Sequence, residues 1–427
     1  MKKVYNHVNI YDGTEEMVLQ KDKMVIVEDG IITEIKDAEE VSGSYDAKGA
    51  YLIPGLINMH VHTPGNGFPK KKATDQRKLA KLVMSNALTR KIAEKICYSA
   101  VKTELLSGTT TIRCVGGLGH IDSLLRDKIA SGKLAGPRIF ACDQALTVPH
   151  GHMEGSVAYG AQSKEDFLRF IEENKKAGVD TLKIMITGGV LDAKKRGEPG
   201  EMKMTPEQVK LCCDKAHELG LRVAAHVESP EGVKVALENG VDFIEHGSYM
   251  DEETADLFLK KDAALIVTLS PAIPIARIST DLTHMNDDAV YNSEVLLEGI
   301  IDAAKKCLRK GVKVGLGTDT VCPFITHYDM WRELEYFHLL TGASRKDALY
   351  RATLGNASLL GIGDKTGSIE EGKAAEFILV KDDPMEGFSA VRNPLLVVKG
   401  REEYDHPSVK KSELAERELD AVMETLK

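Results

Sequence analysis

Two rhythms of apolar and polar positions divide the chain. The first fifty residues alternate in short β-rich runs. Lys3–Tyr11 ends in Asp12-Gly13, Lys23–Val27 ends in Asp29-Gly30, and Ile31–Ile35 follows at once. A two-residue Asp-Gly between β-rich runs predicts a tight hairpin. From Leu52 onward, short continuous apolar runs alternate with longer segments of helical period, the pattern of βα units around a buried parallel sheet. Eight such runs are present: Leu56–Val61, Thr110–Val115, Arg138–Cys142, Thr181–Ile186, Arg222–His226, Phe243–His246, Ala264–Leu269 and Lys313–Gly317. Helical patterns lie between them at Lys164–Ala177, Thr205–Leu219, Ser229–Asn239, Asp251–Lys261 and Asn292–Lys310. Ser163 and Thr205-Pro206 are start signals, and Gly178, Gly220, Gly240 and Gly311 are stops.

Eight strands with intervening helices predict an α/β chain: a (β/α)8 TIM barrel whose reactive residues sit where strands end at the C-terminal face. β character returns after the last helix, in Ala375–Val380 and Leu395–Lys399. A small flanking β-sandwich domain formed by both chain ends, residues 1–55 plus 364–405, accounts for this. The barrel then occupies 56–363, and 406–427 is a charged C-terminal helix. There is no internal repeat beyond the βα rhythm.

Composition narrows the partner class. Of the 427 residues, 43% are hydrophobic and 28% charged, the balance of a folded globular protein. The net charge of −9 argues against nucleic-acid and anionic-membrane partners and leaves a small-molecule substrate. The seven cysteines form no CxxC pair, so a reducing compartment is expected. The N-terminal MKKVYNHVNIYDG has no apolar stretch of the signal-peptide kind, and no window reaches the roughly eighteen apolar residues of a membrane span, so the expected location is cytoplasmic. The basic segment Pro69–Lys95 reads as a solvated helix face or a lid.

The residues that end the strands carry the chemistry. Run one closes in His60-Val61-His62. Residues two apart on a strand face the same side, so both imidazoles reach one metal. With 13 histidines, an HxH arises by chance about 0.4 times. His150-Gly151-His152 is indeed a second one, and what marks the first is its place at the end of a buried run. His226 and His246 close successive strands, a pairing that points to ligands rather than to isolated core histidines. Asp319 follows glycines at the end of the last run, where a carboxylate can bind metal and take a proton, or simply cap the next helix. Lys183 lies inside a buried run. Lysine is rarely buried unpaired, so the position calls for an ion pair, a neutral catalytic amine, or carbamylation by CO2.

At this point the chain resembles the amidohydrolase superfamily. Lys48-Gly49-Ala50-Tyr51-Leu52-Ile53-Pro54-Gly55-Leu56-Ile57 leads into the HxH, and Gly367-Ser368-Ile369-Glu370-Glu371-Gly372-Lys373-Ala374-Ala375-Glu376-Phe377 is similar to that superfamily's return to its β-sandwich. Within it, the lysine strand Thr181–Gly189, Ala225-His226 and Ile244-Glu245-His246-Gly247 resemble the imidazolonepropionase-related branch, which includes prolidase- and carboxypeptidase-like hydrolases. The resemblance implies two divalent metal ions, for which zinc suits the donors first. His60, His62 and Asp319 would hold one, His226 and His246 the other, and a carbamate on Lys183 would bridge them. It also implies hydrolysis of an amide, in a dipeptide or N-acyl amino acid, by water activated between the ions. Asp319 would shuttle the proton and His152 would steady the oxyanion. Glu228, Tyr249 and Arg277 are candidate substrate contacts, Glu228 toward a cationic group or toward His226, and Arg277 toward a carboxylate.

Two departures are notable. Asn58 stands where the family usually has Asp, and Ser229 where deaminases carry a carboxylate. The binuclear amidase is therefore expected over a mononuclear deaminase. A cyclic-amide, lactone or phosphoester hydrolase on the same site, or a barrel using these ligands only structurally, are the alternatives. A homo-oligomer, with the charged terminal helix as a candidate contact, completes the expectations.

Overall fold

The first strands come from the N-terminus: β1 (Lys2–Ile10), β2 (Gln20–Glu28), β3 (Ile31–Asp37), β4 (Tyr45–Asp46) and β5 (Tyr51–Pro54). They belong to a computed structural model that describes residues 1–72 and 75–427. Asp29-Gly30 makes the expected hairpin. Glu28 pairs with Ile31, and the turn residues have φ of 53° and 85°, as a type I′ turn requires. Asp12-Gly13 does not. Residues 11–19 separate β1 from β2 because the turn is committed elsewhere: Asp12 Oδ1 accepts from the Thr14 amide and hydroxyl (2.9 and 2.8 Å), and its carbonyl accepts from Ile369 N (2.8 Å).

All eight predicted runs are strands, and all are parallel. They are β6 (Leu56–Val61), β7 (Thr109–Cys114), β8 (Arg138–Phe140), then β11 (Thr181–Met185), β12 (Arg222–Val227), β13 (Phe243–His246), β14 (Ala264–Val267) and β15 (Lys313–Leu316). Two short strands, β9 (Ala145–Thr147) and β10 (Ala158–Gly160), are added where Leu146 pairs with Ile184. Three strands form one sheet, β6-β7-β8, and seven form the other, β10-β9-β11-β12-β13-β14-β15. The two sheets meet at both margins: Asp319 N donates to His60 O (2.9 Å), and Asp180 N to Ala141 O (2.8 Å). Because the strands run parallel, their C-terminal ends share one side, which gathers residues distant in sequence.

The chain then returns to the first sheet. β16 (Glu376–Val380) pairs with β5, and β17 (Leu396–Lys399) and β18 (Glu402–Asp405) extend it in the order β18-β17-β16-β5-β1-β2-β3, with β4 against β1. Both chain ends therefore build one hydrogen-bonded sheet, whose core includes Tyr5, Ile10, Val25, Phe377 and Val398.

The helices follow their signals. Ser163, Thr205, Ser229 and Asp251 accept backbone N–H groups at helix starts, and Gly178 and Gly311 end helices in the left-handed conformation. The helix Asp287–Lys310 starts before Asn292, because Asn286 caps it by accepting from Ala289 N (2.8 Å). Its first residues, Asp287 and Asp288, are acidic and exposed, so apolar periodicity cannot mark that start. The C-terminal helix is Glu413–Leu426. Of the basic segment Pro69–Lys95, residues 73 and 74 lie outside the described residues, and the rest includes the helix Gln76–Val83. Among the described residues no helix is long and apolar enough to cross a membrane.

Candidate metal centre

β6 is buried throughout, and its alternation sends Asn58, His60 and His62 to one face. Each ring is fixed from behind. His60 Nδ1 donates to Glu245 Oε2 (2.8 Å) and His62 Nδ1 to the Gly116 carbonyl (2.8 Å). That leaves both Nε2 atoms facing Asp319 Oδ1, each 3.2 Å away. Two imidazole nitrogens and a carboxylate oxygen thus converge on one point, a donor set that suits a metal ion. Asp319 is held there with φ of 52°, a backbone conformation uncommon outside glycine and frequent at functional sites. It caps no helix. Burial alone would raise its carboxyl, but His60, His62 and His246 hold it well below the usual carboxylate range. Asn58 orients this set from below, donating to Thr318 Oγ1 (2.8 Å) and accepting from Thr318 N (3.1 Å).

A second group adjoins the first. Ligand atoms of His226, Glu228 and His246 lie within 4.8 Å of one another, and the His246 ring is 4.7 Å from that of His226 and 4.8 Å from that of His60. Burial holds both imidazoles well below their usual value, so they are neutral and suited to a cation. His246 Nδ1 is tied to Thr268 Oγ1 (2.7 Å), whereas His226 Nε2 has only the Gly188 carbonyl at 3.3 Å. Lys183 is 1% exposed, and among the described residues its Nζ has no hydrogen-bond partner. Burial pulls its pKa from the usual 10.5 to about 8, against the pull of Glu245 and Asp319. Glu228 accepts from Val190 N (3.1 Å), and burial, with Asp319 and Asp192 nearby, raises its carboxyl well above the usual range.

The remaining candidates are distributed unevenly. His152, on the loop after β9, stacks on His226 with ring centroids 4.1 Å apart and is oriented by Asp192 through Nδ1. Tyr249 is 40% exposed and donates to Glu298 (3.0 Å). Arg277 ends a short helix, Ala272–Arg277, rather than lying in a loop, and its guanidinium donates to Glu294 (2.6 Å) at the surface. Ser229 caps the helix Pro230–Glu238 and is not a substitute for a deaminase carboxylate.

Glu245 and Arg113 were not singled out from the sequence, although both matter. Glu245 joins His60 to Arg113, and the Arg113 Nε donates to the Met59 carbonyl (2.8 Å) beneath the site. Burial would raise the Glu245 carboxyl, but Arg113, Lys183 and His60 bring it to about 2. The signal was available: each is a charge inside an apolar run, as Lys183 is.

The amidohydrolase family model matches residues 51–403. A solved Bifidobacterium longum protein assigned as a prolidase is 33% identical, with a TM-score of 0.85 over 99% of this chain and 98% of that one. A solved Xaa-Pro dipeptidase with methionine in its active site is 29% identical, with a TM-score of 0.80 over 95% of this chain and 100% of that one. Ochratoxinase of Aspergillus niger is 25% identical over 378 residues, 81% of this chain and 73% of its own. Matched by its model over most of its length, and carrying the two donor groups at its strand ends, this chain belongs to the amidohydrolase family.

Proposed function

We propose that this chain is a binuclear metal-dependent amidohydrolase that cleaves the amide bond of a dipeptide or N-acyl amino acid. Membership of the amidohydrolase family carries hydrolysis of a carbon–nitrogen bond. The binuclear reading rests on one observation: the Nε2 atoms of His60 and His62 converge on Asp319 Oδ1, each at 3.2 Å, beside the His226–Glu228–His246 group. The partnerless amine of Lys183 supports it. In this reading the parallel strands close into a (β/α)8 barrel over 56–363, flanked by a β-sandwich of 1–55 and 364–405.

His60, His62 and Asp319 would hold one cation, His226 and His246 the second, and Lys183, carbamylated by CO2, would stand between them. Zinc suits these nitrogen and oxygen donors. Two divalent cations held there would supply a water of near-neutral pKa and a polarised amide carbonyl. Asp319 accepts the proton of the attacking water and passes it to the departing nitrogen. His152, its ring fixed by Asp192, points a donor at the developing oxyanion. Glu228 is a buried carboxylate with an acidic neighbour in Asp192, which suits it to a cationic group of the substrate.

Metal analysis combined with a hydrolysis screen over dipeptides and N-acyl amino acids tests the reading. Two ions per chain and release of a free amine are expected. A single ion would favour deamination, and no cleavage by the two-metal protein would favour a lactone or phosphoester. His152→Ala is expected to lower kcat by about a hundredfold or more with metal content unchanged.

A further inference from the structure

Two members of the first donor set, His62 and Asp319, stand on loops, 62–68 after β6 and 319–328 after β15, while His60 lies within β6. Backbone bonds lace them together. His62 N donates to Thr320 O (3.1 Å), and Phe324 N to Gly67 O (2.8 Å). Gly67 sits so close to Ile325 that an added Cβ would come within 2.0 Å of its carbonyl oxygen.

Side chains reach further elements: Thr63 Oγ1 donates to Asp122 Oδ1 (2.8 Å) in the helix Ile121–Ala130, and a second tie, at His327, joins both loops to another helix. His327 Nε2 donates to the Gly65 carbonyl (3.2 Å), and His327 Nδ1 faces Glu104 Oε1 at 2.9 Å. Glu104 lies in the helix Ala87–Leu106, 223 residues away from His327 in sequence. The two ring nitrogens meet these two acceptors, so the imidazole bridges a helix carboxylate and the loop that follows His62. Glu104 and His327 are 1% and 3% exposed, and the other Glu104 oxygen has no partner among the described residues. Neither residue takes part in the chemistry above. A buried carboxylate with a single side-chain partner is costly to leave alone, so the pair resists separation.

We propose that Glu104 and His327 are positioning residues that hold the loop beginning at His62 and the Asp319 loop at the spacing the first cation needs. The metal part of this inference rests on the proposed function. The helix Ala87–Leu106 supplies a fixed point outside both loops, which backbone lacing between the two loops cannot supply by itself. Outer partners of metal ligands commonly matter in this way.

The test uses the full chain and the variants His327→Ala, His327→Gln and Glu104→Gln. Gln at 327 keeps one donor toward Gly65, and Gln at 104 keeps the shape without the charge. Two readouts do not depend on turnover. One is hydrogen exchange of the metal-free protein; the other is zinc affinity by chelator competition. In His327→Ala, exchange should quicken in 62–68 and 319–328 alone, and zinc affinity should fall by about tenfold or more. kcat should fall with KM little changed, and His327→Gln should recover part of each loss. If His327→Ala does not fold, Glu104→Gln decides, with the same changes in milder form. Unchanged exchange and zinc affinity in the folded variants would overturn the proposal, as would exchange that quickens throughout the barrel. A wild-type protein that cleaves no amide, while both readouts shift as described, would remove the proposed reaction and leave the clamp standing.

Discussion

The two donor groups lie side by side but are built differently. In the first, every ligand is braced. His60 is backed by Glu245, then Arg113, then the Met59 carbonyl; His62 is backed by the Gly116 carbonyl; and Asp319 N donates to His60 O beside the Asn58–Thr318 pair. In the second, His246 has Thr268, His226 has a 3.3 Å contact to the Gly188 carbonyl, the stacked His152 ring and Glu228 Oε1 at 3.7 Å, and Lys183 has no hydrogen-bond partner among the described residues. The chain alone organises the first group. In the proposed reading the second would be completed by what reaches it: a cation, and CO2 on the lysine. Preorganisation therefore belongs to one half of the centre, and adaptability to the other.

The largest effect should come from the braced half. Asp319→Asn keeps the shape but removes the proton acceptor and one donor, so kcat should fall by about 10²–10⁴-fold. Metal analysis should show the first cation bound more weakly and the second little affected.

Lys183→Met addresses the open half and should reduce bound metal from two ions to one, with kcat falling accordingly. Retention of both ions would mean that the second group needs no lysine, and the contrast between the halves would fail. pH gives an independent check. The folded-state pKa of Lys183 is about 8 against the usual 10.5, so the unfolded chain binds the proton more tightly. In the metal-free protein this penalises the folded state fully below pH 8, and the penalty is relieved as pH rises from 8 to 10.5. Melting curves of wild type should accordingly gain on those of Lys183→Met across that window. The same titration sets how much neutral amine is available to CO2.

Glu245→Gln should act on the braced half alone, weakening the first cation by about ten- to a hundredfold while the second is unaffected. Equal loss at both groups would show that Glu245 supports the barrel generally rather than His60 in particular.

The unevenness of the centre also explains what could be read from the sequence. Buried parallel strands are continuous apolar runs, so His60, His62, Lys183, His226, His246 and Asp319 stand out against them. Arg113 and Glu245 obey the same rule, but Glu245 adjoins His246, and two polar residues ending a four-residue strand look like one feature. β9 and β10 are three residues each, too short to carry a period. Asp12-Gly13 and Asp29-Gly30 are the same dipeptide with different outcomes: both accept a distant backbone N–H, but only the Asp12 carboxylate is bound locally by the Thr14 amide and hydroxyl. The Glu104–His327 pair joins residues 223 apart with no motif around either. What escaped the sequence is therefore mostly the bracing, which depends on contacts and not on local pattern.

The smallest effects should come from the rim. Tyr249 and Arg277 have the chemistry to touch a substrate, but both spend their polar ends on the helix Asp287–Lys310: Tyr249 on Glu298 and Arg277 on Glu294. The Arg277–Glu294 pair is about two-fifths exposed on both sides, so water and salt screen it, and breaking it costs at most about 1 kcal/mol. An arginine that must first leave Glu294 to meet a substrate carboxylate gains only the difference between two similar ion pairs. Arg277→Ala should thus change kcat/KM for an acidic dipeptide by less than about fivefold, since ~1 kcal/mol is all that the exchange can supply. The change should also shrink as ionic strength rises. A loss of a hundredfold, insensitive to salt, would place Arg277 against the substrate in a desolvated pocket. Recognition would then extend from the braced half of the centre out to this helix.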